Sequence, residues 1–154
     1  MSSRADALAE IDAALTRIGR MTNSRRAAQY RSQLSGVDLQ PTTVRTLAAI
    51  YRHGPVRLTD VATHVDFEPS RVSKEVNRLV EAGLVAQQAD ATDGRAVLLT
   101  VTEAGAEAFT RYRATADQIL ADRLGGWPDG ELERLAATLT SLAKSLAGET
   151  GSRS

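Results

Sequence analysis

Apolar residues recur at alternating steps of three and four along the first part of the chain, from Ala5 to about Leu34. This spacing places them along one side of a helix and is typical of a packing seam. We therefore predict a long N-terminal helix, with a kink or an early end in the arginine-rich part that begins at Asn23. The seam consists of Leu8, Ile11, Leu15, Ile18 and Met21. It needs a partner, which is either the body of the chain or a second subunit.

Shorter amphipathic segments follow in the middle of the chain. A helix is predicted over 41–53, and the segment 56–58 is long enough only for a single edge strand. Thr59 is expected to cap a short helix that runs from 60 to 64 or 65. A turn over 66–68 then leads into a further helix, and two short helices joined by so tight a turn indicate a helix-turn-helix.

The helix predicted over 69–82 has two different faces. Pro69 suits its first turn, where no backbone N–H is needed, and Gly83 suits a left-handed end. The apolar face consists of Val72, Val76, Leu79 and Val80. The opposite arc consists of Ser70, Arg71, Ser73, Lys74, Asn77 and Arg78. Such an arc can contact base edges and phosphates in a DNA major groove. The alternative is an ordinary solvated helix face.

The period changes from helix to strand after Gly83. Residues 84–89 and 96–101 are strand-like, and Asp93-Gly94 between them is a strong turn signal. The chain therefore predicts a β-hairpin directly after the helix-turn-helix, with Arg95 at its tip.

Two more helices are predicted in the C-terminal part. Thr102 is expected to cap the first, which carries an apolar stripe to about Leu124. Asp129 is expected to cap the second, where leucines repeat at steps of three and four as far as Leu146. Residues 148–154, rich in Ser, Gly and Thr, are predicted to form a disordered tail.

The charge distribution argues mildly against a strong general attraction to nucleic acid. The chain has 19 basic and 19 acidic residues. Residues 51–95, which contain the predicted reading helix, carry six basic and seven acidic side chains. Any contact with nucleic acid must therefore come from a local face and not from the field of the whole domain.

The sequence contains few residue patterns that are typical of catalytic or metal-binding sites. It contains no cysteine, which excludes disulfides and thiol catalysis. No nucleotide-binding loop or nucleophile elbow occurs, and His53 and His64 have no further ligand pattern nearby. No catalytic, metal or cofactor site is therefore expected. There is no run of about 18 apolar residues and no apolar leader, so we expect a cytoplasmic protein without a membrane partner.

Several segments, taken in order, resemble the MarR family of transcriptional regulators. They are LTDVA at 58–62, PSRVSK at 69–74, LVEAGLV at 79–85 and DGRAVLLTVTEAG at 93–105. Many winged-helix proteins share any one of these pieces, but the whole series between a long N-terminal helix and two C-terminal helices is specific. The resemblance covers nearly the whole chain, from about Ala5 to Leu146.

The resemblance implies a mainly α fold with a small β-hairpin wing, in which a winged helix-turn-helix is set on a helical dimerisation domain. Residues 1–35 and 103–147 would supply the dimerisation helices, and 36–102 would form the DNA-binding domain. Family members are homodimers, and many are repressors released by small, often phenolic, ligands. The apolar seams at both ends of the chain would then lie in a dimer interface, or pack on each other within one subunit, or both.

This chain departs from the family pattern at four places. Thr92 stands where the wing usually has a second arginine, and Asp66 replaces a turn glycine while still tolerating a left-handed conformation. Glu68 replaces the usual capping serine, and Glu75 stands where the family often has an apolar residue. With Glu68, Glu75 and Glu81 beside the cations of the reading helix, we expect selective DNA binding of modest electrostatic strength.

Roles for individual side chains follow from the resemblance. Ser73, Lys74, Asn77 and Arg78 are the candidates for groove contacts, and Ser70 and Arg71 for contacts with phosphates or bases. Thr59 stands at a helix end that can hold a phosphate. Arg95 is a wing-tip contact, with an internal salt bridge to Asp93 as the alternative.

Four aromatic residues are candidates for a ligand pocket between the dimerisation helices and the winged helix, although they could equally fill the core. They are Tyr30, Tyr51, Phe109 and Tyr112. The leading hypothesis is a dimeric regulator, a repressor of a pseudo-palindromic operator in double-stranded DNA, relieved by a small aromatic or phenolic ligand. One alternative is a winged-helix protein-interaction module that has lost DNA binding. Another is a small-molecule carrier or enzyme.

Overall fold

The computed structural model describes residues 3–148. Its helices and strands follow one another as α1 (Arg4–Thr22), α2 (Arg25–Ser35), α3 (Pro41–His53), β1 (Val56–Arg57), α4 (Leu58–Val65), α5 (Pro69–Glu81), β2 (Val85–Ala89), β3 (Val97–Val101), α6 (Glu103–Leu124) and α7 (Asp129–Leu146). The chain divides into two compact units, residues 1–116 and 117–154. The predicted roles of the N- and C-terminal helices in dimerisation stay predictions, and residues 149–154 of the predicted tail lie outside the described residues.

The N-terminal segment forms two helices, so the prediction of one long helix was wrong and its alternative of an early end was right. α1 ends at Thr22, and Ser24 caps α2 by accepting a hydrogen bond from the N–H of Ala27 at 3.1 Å. A serine at this position stabilises a new helix start. Arg31 spans the break and donates from Nη2 to the carbonyl of Thr22 at 2.7 Å.

The hydrophobic core lies between α3, α4, α5 and the sheet. Fully buried side chains come from each of these elements, and Phe109 of α6 covers one side. The innermost apolar residues are Leu47, Ile50, Val61, Val72, Val76, Leu79 and Leu99. The predicted apolar face of 69–82 is therefore confirmed as the side of α5 that faces the core.

The predicted hairpin and edge strand join in one antiparallel sheet of order β1-β3-β2. β2 and β3 pair from Val85 opposite Val101 to Ala89 opposite Val97. The two-residue β1 pairs with β3 through Val56 and Leu99. This register fixes the loop 90–96, which connects β2 to β3, at one end of the sheet.

Two predicted helix caps were wrong and a third is confirmed. α4 starts two residues earlier than expected, so Arg57 precedes it and Thr59 is its second residue, with no capping bond. Pro128 precedes α7, which makes Asp129 the first helical residue, although its charge still favours the N-terminal turn. Thr102 does cap α6, because its hydroxyl oxygen accepts from the N–H of Gly105 at 3.0 Å.

Three backbone positions around α5 need small or tolerant residues. Asp66 before the helix and Gly83 after it both adopt positive φ, 55° and 72°, as the sequence predicts. Gly105 of α6 lies so close to the carbonyl oxygen of Leu84 that an added Cβ would come within 2.0 Å of it. A glycine therefore lets α6 meet the chain where α5 passes into β2.

α1 and α7 contain no buried residue. Apolar side chains on each are exposed in the single chain, among them Leu8, Ile11 and Ile18 of α1 and Leu139 and Leu146 of α7. Within residues 3–148, no helix combines the length and apolar character needed to cross a membrane.

Candidate nucleic-acid interface

The outer face of α5 presents the polar residues predicted from the sequence. Ser70, Arg71, Lys74, Asn77 and Arg78 are exposed, and Ser73 is half-buried. The inner face is fixed by Val72, Val76 and Leu79, which are at most 1% exposed. The structure therefore brings six of the eight predicted DNA-contacting residues together on one helix whose orientation is set by the core. Thr59 is exposed in the first turn of α4, and Arg95 lies in the wing.

The entry to α5 contains a cationic cluster that the sequence reasoning missed. The ring of Phe67 lies between two guanidinium groups, with the Cζ of Arg45 at 4.5 Å and that of Arg71 at 4.3 Å from its centroid. Arg45, on α3, also donates from Nη2 to the carbonyl of Val65 at 2.8 Å. Stacking on an aromatic face favours a cation and limits its motion. Arg45 therefore joins the candidate phosphate contacts, and no local sequence signal marks it.

The inner face of the same helix carries a buried carboxylate. Glu75 is only 6% exposed and accepts a hydrogen bond from the hydroxyl of Thr43, on α3, at 2.6 Å. Nη1 of Arg78 lies 3.2 and 3.3 Å from its two oxygens. The expectation that Glu75 stands beside the cations on the surface was wrong. Because its carboxylate has a buried hydroxyl donor in Thr43 and an ion partner in the exposed Arg78, the charge can be buried there.

The wing is fastened at its base by Asp90. Its Oδ2 accepts from Nη2 of Arg57, on β1, at 2.6 Å, and its Oδ1 accepts from the hydroxyl and N–H of Thr92 at 2.7 and 2.9 Å. The Thr92 donors first, and the Arg57 guanidinium after them, hold the pKa of Asp90 well below its ordinary value. Thr92, standing where the family has an arginine, thus stabilises the turn.

The tip of the wing is exposed from Ala91 to Arg95. The N–H of Arg95 donates to Oδ1 of Asp93 at 3.2 Å, and Asp93 Oδ2 lies 3.9 Å from Arg57. Among the residues that the structure describes, the side chain of Arg95 forms no ion pair. The alternative of a salt bridge to Asp93 was wrong, because the carboxylate faces β1, and the Arg95 guanidinium stays available at the tip.

The four aromatic residues predicted to line a ligand pocket do not form one group. The rings of Tyr51 and Phe109 contact each other at 4.8 Å between centroids. The ring of Tyr112 lies 5.9 Å from the guanidinium of Arg31, and Tyr30 is 48% exposed. An open, polar cavity of about 710 Å³ lies instead along α2 and the segment after it. It is lined by Arg25, Ala28, Gln29, Ser32, Gln33, Asp38, Leu39 and Gln40.

The two histidines lie together, which their separation in sequence did not indicate. The rings of His53 and His64 are stacked, with centroids 3.8 Å apart and planes 5° apart. No group of three or more metal-ligating side chains occurs in the described part of the chain. Stacked imidazoles direct their nitrogen lone pairs side by side within parallel planes, so this pair is not arranged to hold one ion.

Comparisons with known proteins concern the family and the fold. A sequence model of the MarR family matches residues 37–96. The transcriptional repressor MdtR of Bacillus subtilis is 27% identical over 110 residues, which are 71% of this chain and 70% of MdtR. The uncharacterised transcriptional regulator YwhA of the same organism is 32% identical over 91 residues, 59% of this chain and 60% of YwhA. Residues 37–96 are thus similar to the MarR family.

A solved structure extends the likeness beyond the matched sequence segments. CouR of Rhodococcus jostii RHA1, solved with bound p-coumaroyl-CoA, is 27% identical and aligns over 86% of this chain and 91% of its own with a TM-score of 0.66. The predicted resemblance to the MarR family and the winged helix-turn-helix fold are confirmed. The relatives MdtR and YwhA are named as transcriptional regulators.

Proposed function

We propose that the protein is a homodimeric, sequence-specific repressor that binds double-stranded DNA. The observation that carries this proposal is α5, whose inner face is fixed in the core while its outer face presents hydroxyl, amide and cationic side chains. A helix presented in this way fits a major groove and can donate to base edges. The naming of its relative MdtR as a repressor supports the direction of regulation.

The contacts divide by their chemistry. Lys74, Asn77 and Arg78, at the middle of α5, contact base edges in this proposal, and Ser73 beside them is half-buried. Ser70, Arg71 and the stacked Arg45 lie near the start of the helix and suit phosphates. Arg95, exposed at the wing tip, contacts an adjacent groove in this proposal. Thr59 in the first turn of α4 suits a further phosphate.

Dimerisation is supported by the two helices that bury nothing in the single chain. The apolar stripes of α1 and α7 are largely exposed, and a second copy of the chain would remove them from water. A symmetric dimer presents two copies of α5, so the operator should be a pseudo-palindrome with half-sites about 10 bp apart, or a multiple of this spacing.

Relief by a small aromatic or phenolic ligand is the finer part of the proposal. The contact of Tyr51 with Phe109 and the position of Tyr112 beside Arg31 offer aromatic surface and a cation. The relative CouR was solved with an aromatic thioester, p-coumaroyl-CoA. A thermal-shift screen of aromatic acids and their thioesters tests this part, because a ligand of the native state raises the midpoint.

The main test is salt-titrated binding to the DNA that flanks the gene of this protein. We expect tighter binding than to random duplex of the same length, and a loss of affinity with rising salt as counterions are released. Equal affinity for both duplexes at moderate salt would refute sequence-specific regulation.

A protein-interaction module that has lost DNA binding is the second candidate. The observation that favours it is Thr92, which is hydrogen-bonded to Asp90 where the family has a wing arginine. A dimer without any salt-dependent affinity for DNA would select this alternative.

A further inference from the structure

The carboxylate of Glu75 is an unusual component of the inner face of α5. Its neighbours on that face, Val72, Val76 and Leu79, are fully buried and apolar. Burying a carboxylate is unfavourable unless its partners compensate for the lost water, and a well-packed apolar residue often stabilises as much or more. Stability of the core alone therefore does not account for a glutamate at this position.

The carboxylate is held in place from the side of α3. The hydroxyl of Thr43, itself 2% exposed, donates to Glu75 Oε2 at 2.6 Å. This short bond joins two helices that pack on each other, and it keeps the charge from following its ion partner toward solvent. The carboxylate of Glu75, on the inner face of α5, consequently has a fixed position.

Arg78 connects this fixed anion to the surface. Its side chain is 60% exposed, yet Nη1 lies 3.2 Å from Glu75 Oε1. A guanidinium has five N–H donors in a rigid plane. With Nη1 held below, Nη2 and Nε remain to donate outward, as a pair that suits the O6 and N7 acceptors of guanine. Lys74, one residue before Glu75, forms no ion pair within residues 3–148.

We propose that Glu75 is a positioning residue for DNA reading: held by Thr43, it orients the guanidinium of Arg78 so that this arginine reads one guanine in each half-site. The inference rests on the proposed function of α5 as the recognition helix. Its physical basis is preorganisation, since a side chain already fixed in the free protein loses less conformational entropy on binding. Glu75 itself does not touch DNA.

The test compares full-length variants on an operator selected from random duplexes by the wild-type protein. Glu75→Leu removes the anion while keeping an apolar core, Glu75→Gln removes the charge alone, and Thr43→Val removes the hydroxyl that holds it. Arg78→Ala identifies the base pair that this arginine reads. Glu81→Gln is the matched control, because it removes the same charge from an exposed position on the same helix.

Preference for that base pair should fall between roughly fivefold and a hundredfold in Arg78→Ala, the range of one good bidentate contact. Glu75→Leu should lose most of the same preference, and Arg78→Ala combined with Glu75→Leu should lose no more than Arg78→Ala alone. Glu81→Gln should retain it. Affinity for random duplex at low salt should not fall in Glu75→Leu, because a negative charge has been removed.

A second readout needs no DNA. NMR relaxation of the Arg78 Nε–H group in the free protein should show an ordered guanidinium in the wild type and a mobile one in Glu75→Leu and Glu75→Gln. Thermal unfolding of each variant establishes that it is folded; if Glu75→Leu does not fold, Glu75→Gln and Thr43→Val carry the comparison.

The outcomes separate the two proposals. A wild-type protein without any preferred sequence overturns the proposed function, and the inference with it. A wild-type protein that prefers its operator, with the preference retained in folded Glu75→Leu, overturns only the inference. An Arg78 side chain equally mobile with and without Glu75 also overturns it.

Discussion

Helix α5 and the wing are held in place by different forces. The inner face of α5 carries fully buried apolar side chains, so the hydrophobic core determines where the helix points. The wing tip, 91–95, is exposed throughout, and polar contacts of Asp90 fasten its base. A substitution on the inner face of α5 should therefore alter the stability of the whole domain. A substitution at the wing base should loosen only the wing loop.

Of these substitutions, Leu79→Ala should lower the free energy of unfolding most. The size of the loss measures how strongly the core holds α5. Leu79 is 0% exposed, and removing a buried leucine side chain lowers the free energy of unfolding by about 2–5 kcal/mol. Urea denaturation at fixed protein concentration measures the change. The exposed Asn77→Ala on the same helix should stay within about 0.5 kcal/mol. Similar losses in both variants would contradict the assignment of inner and outer faces.

Gly105→Ala tests the junction where α5 passes into β2. The added Cβ would lie 2.0 Å from the carbonyl oxygen of Leu84, so backbone must move at a cost of about 1–3 kcal/mol, as in other overpacked sites. Gly19→Ala is the matched control, because nothing lies within 4 Å of its added Cβ. That helical substitution should stabilise by up to about 1 kcal/mol. Opposite signs in thermal unfolding are expected; a stabilising Gly105→Ala would refute the close contact.

Asp90→Asn should loosen the wing and leave α5 in place. Hydrogen exchange should accelerate at Ala96, whose N–H donates to the Asp93 carbonyl within the wing loop, while amides of α5 keep their protection. Asp93→Asn, whose carboxylate is 3.9 Å from Arg57, should act more weakly. Accelerated exchange along α5 would contradict the separate fastening of the two regions.

The same aspartate makes the wing sensitive to acid. Because Thr92 and Arg57 lower the pKa of Asp90 in the folded state, its contribution is fully present above the unfolded value. It is lost as the pH falls below about 4 and through the lower folded value. The difference in Ala96 protection between wild type and Asp90→Asn should therefore shrink at acid pH. A difference that stays constant down to pH 2 would rule out this origin.

Arg95→Ala should have the smallest effect. Its guanidinium forms no ion pair among the described residues, so stability should not change. Affinity for operator and random duplex should fall alike, and the slope of log affinity against log salt should decrease by about one phosphate contact. Fluorescence anisotropy over a salt series measures both. An unchanged slope would remove Arg95 from the interface.

The sequence predicted the elements of the domain well because their signals are local. The apolar period of α5, its glycine end and the positive φ of Asp66 can be read within a few residues. The hairpin follows from Asp93-Gly94 and the strand-like segments beside it. The break between α1 and α2 was predicted only as an alternative to one long helix. Ser24, which caps α2, was not a sufficient signal, because serine also occurs in the interior of helices.

The contacts that fasten the two regions could not be predicted. Thr43 and Glu75 are 32 residues apart, and Arg57 and Asp90 are 33 apart. Their pairing depends on how α3 packs on α5 and on the register of β1 against β3. Glu75 was placed with the surface acids because of its charge, although it lies three residues after Val72 and four before Leu79, at helical spacing from both. Arg45 was missed because only the fold brings it to Phe67.

The contact between Thr43 and Glu75 also limits how the protein can be re-engineered. Exchange of the outward residues of α5 for those of a relative is the simplest route to a new operator. In this chain such an exchange would leave the buried carboxylate of Glu75 without the cation that pairs with it, the guanidinium of Arg78. A transplant should therefore carry positions 43, 75 and 78 together, although the first belongs to a different helix.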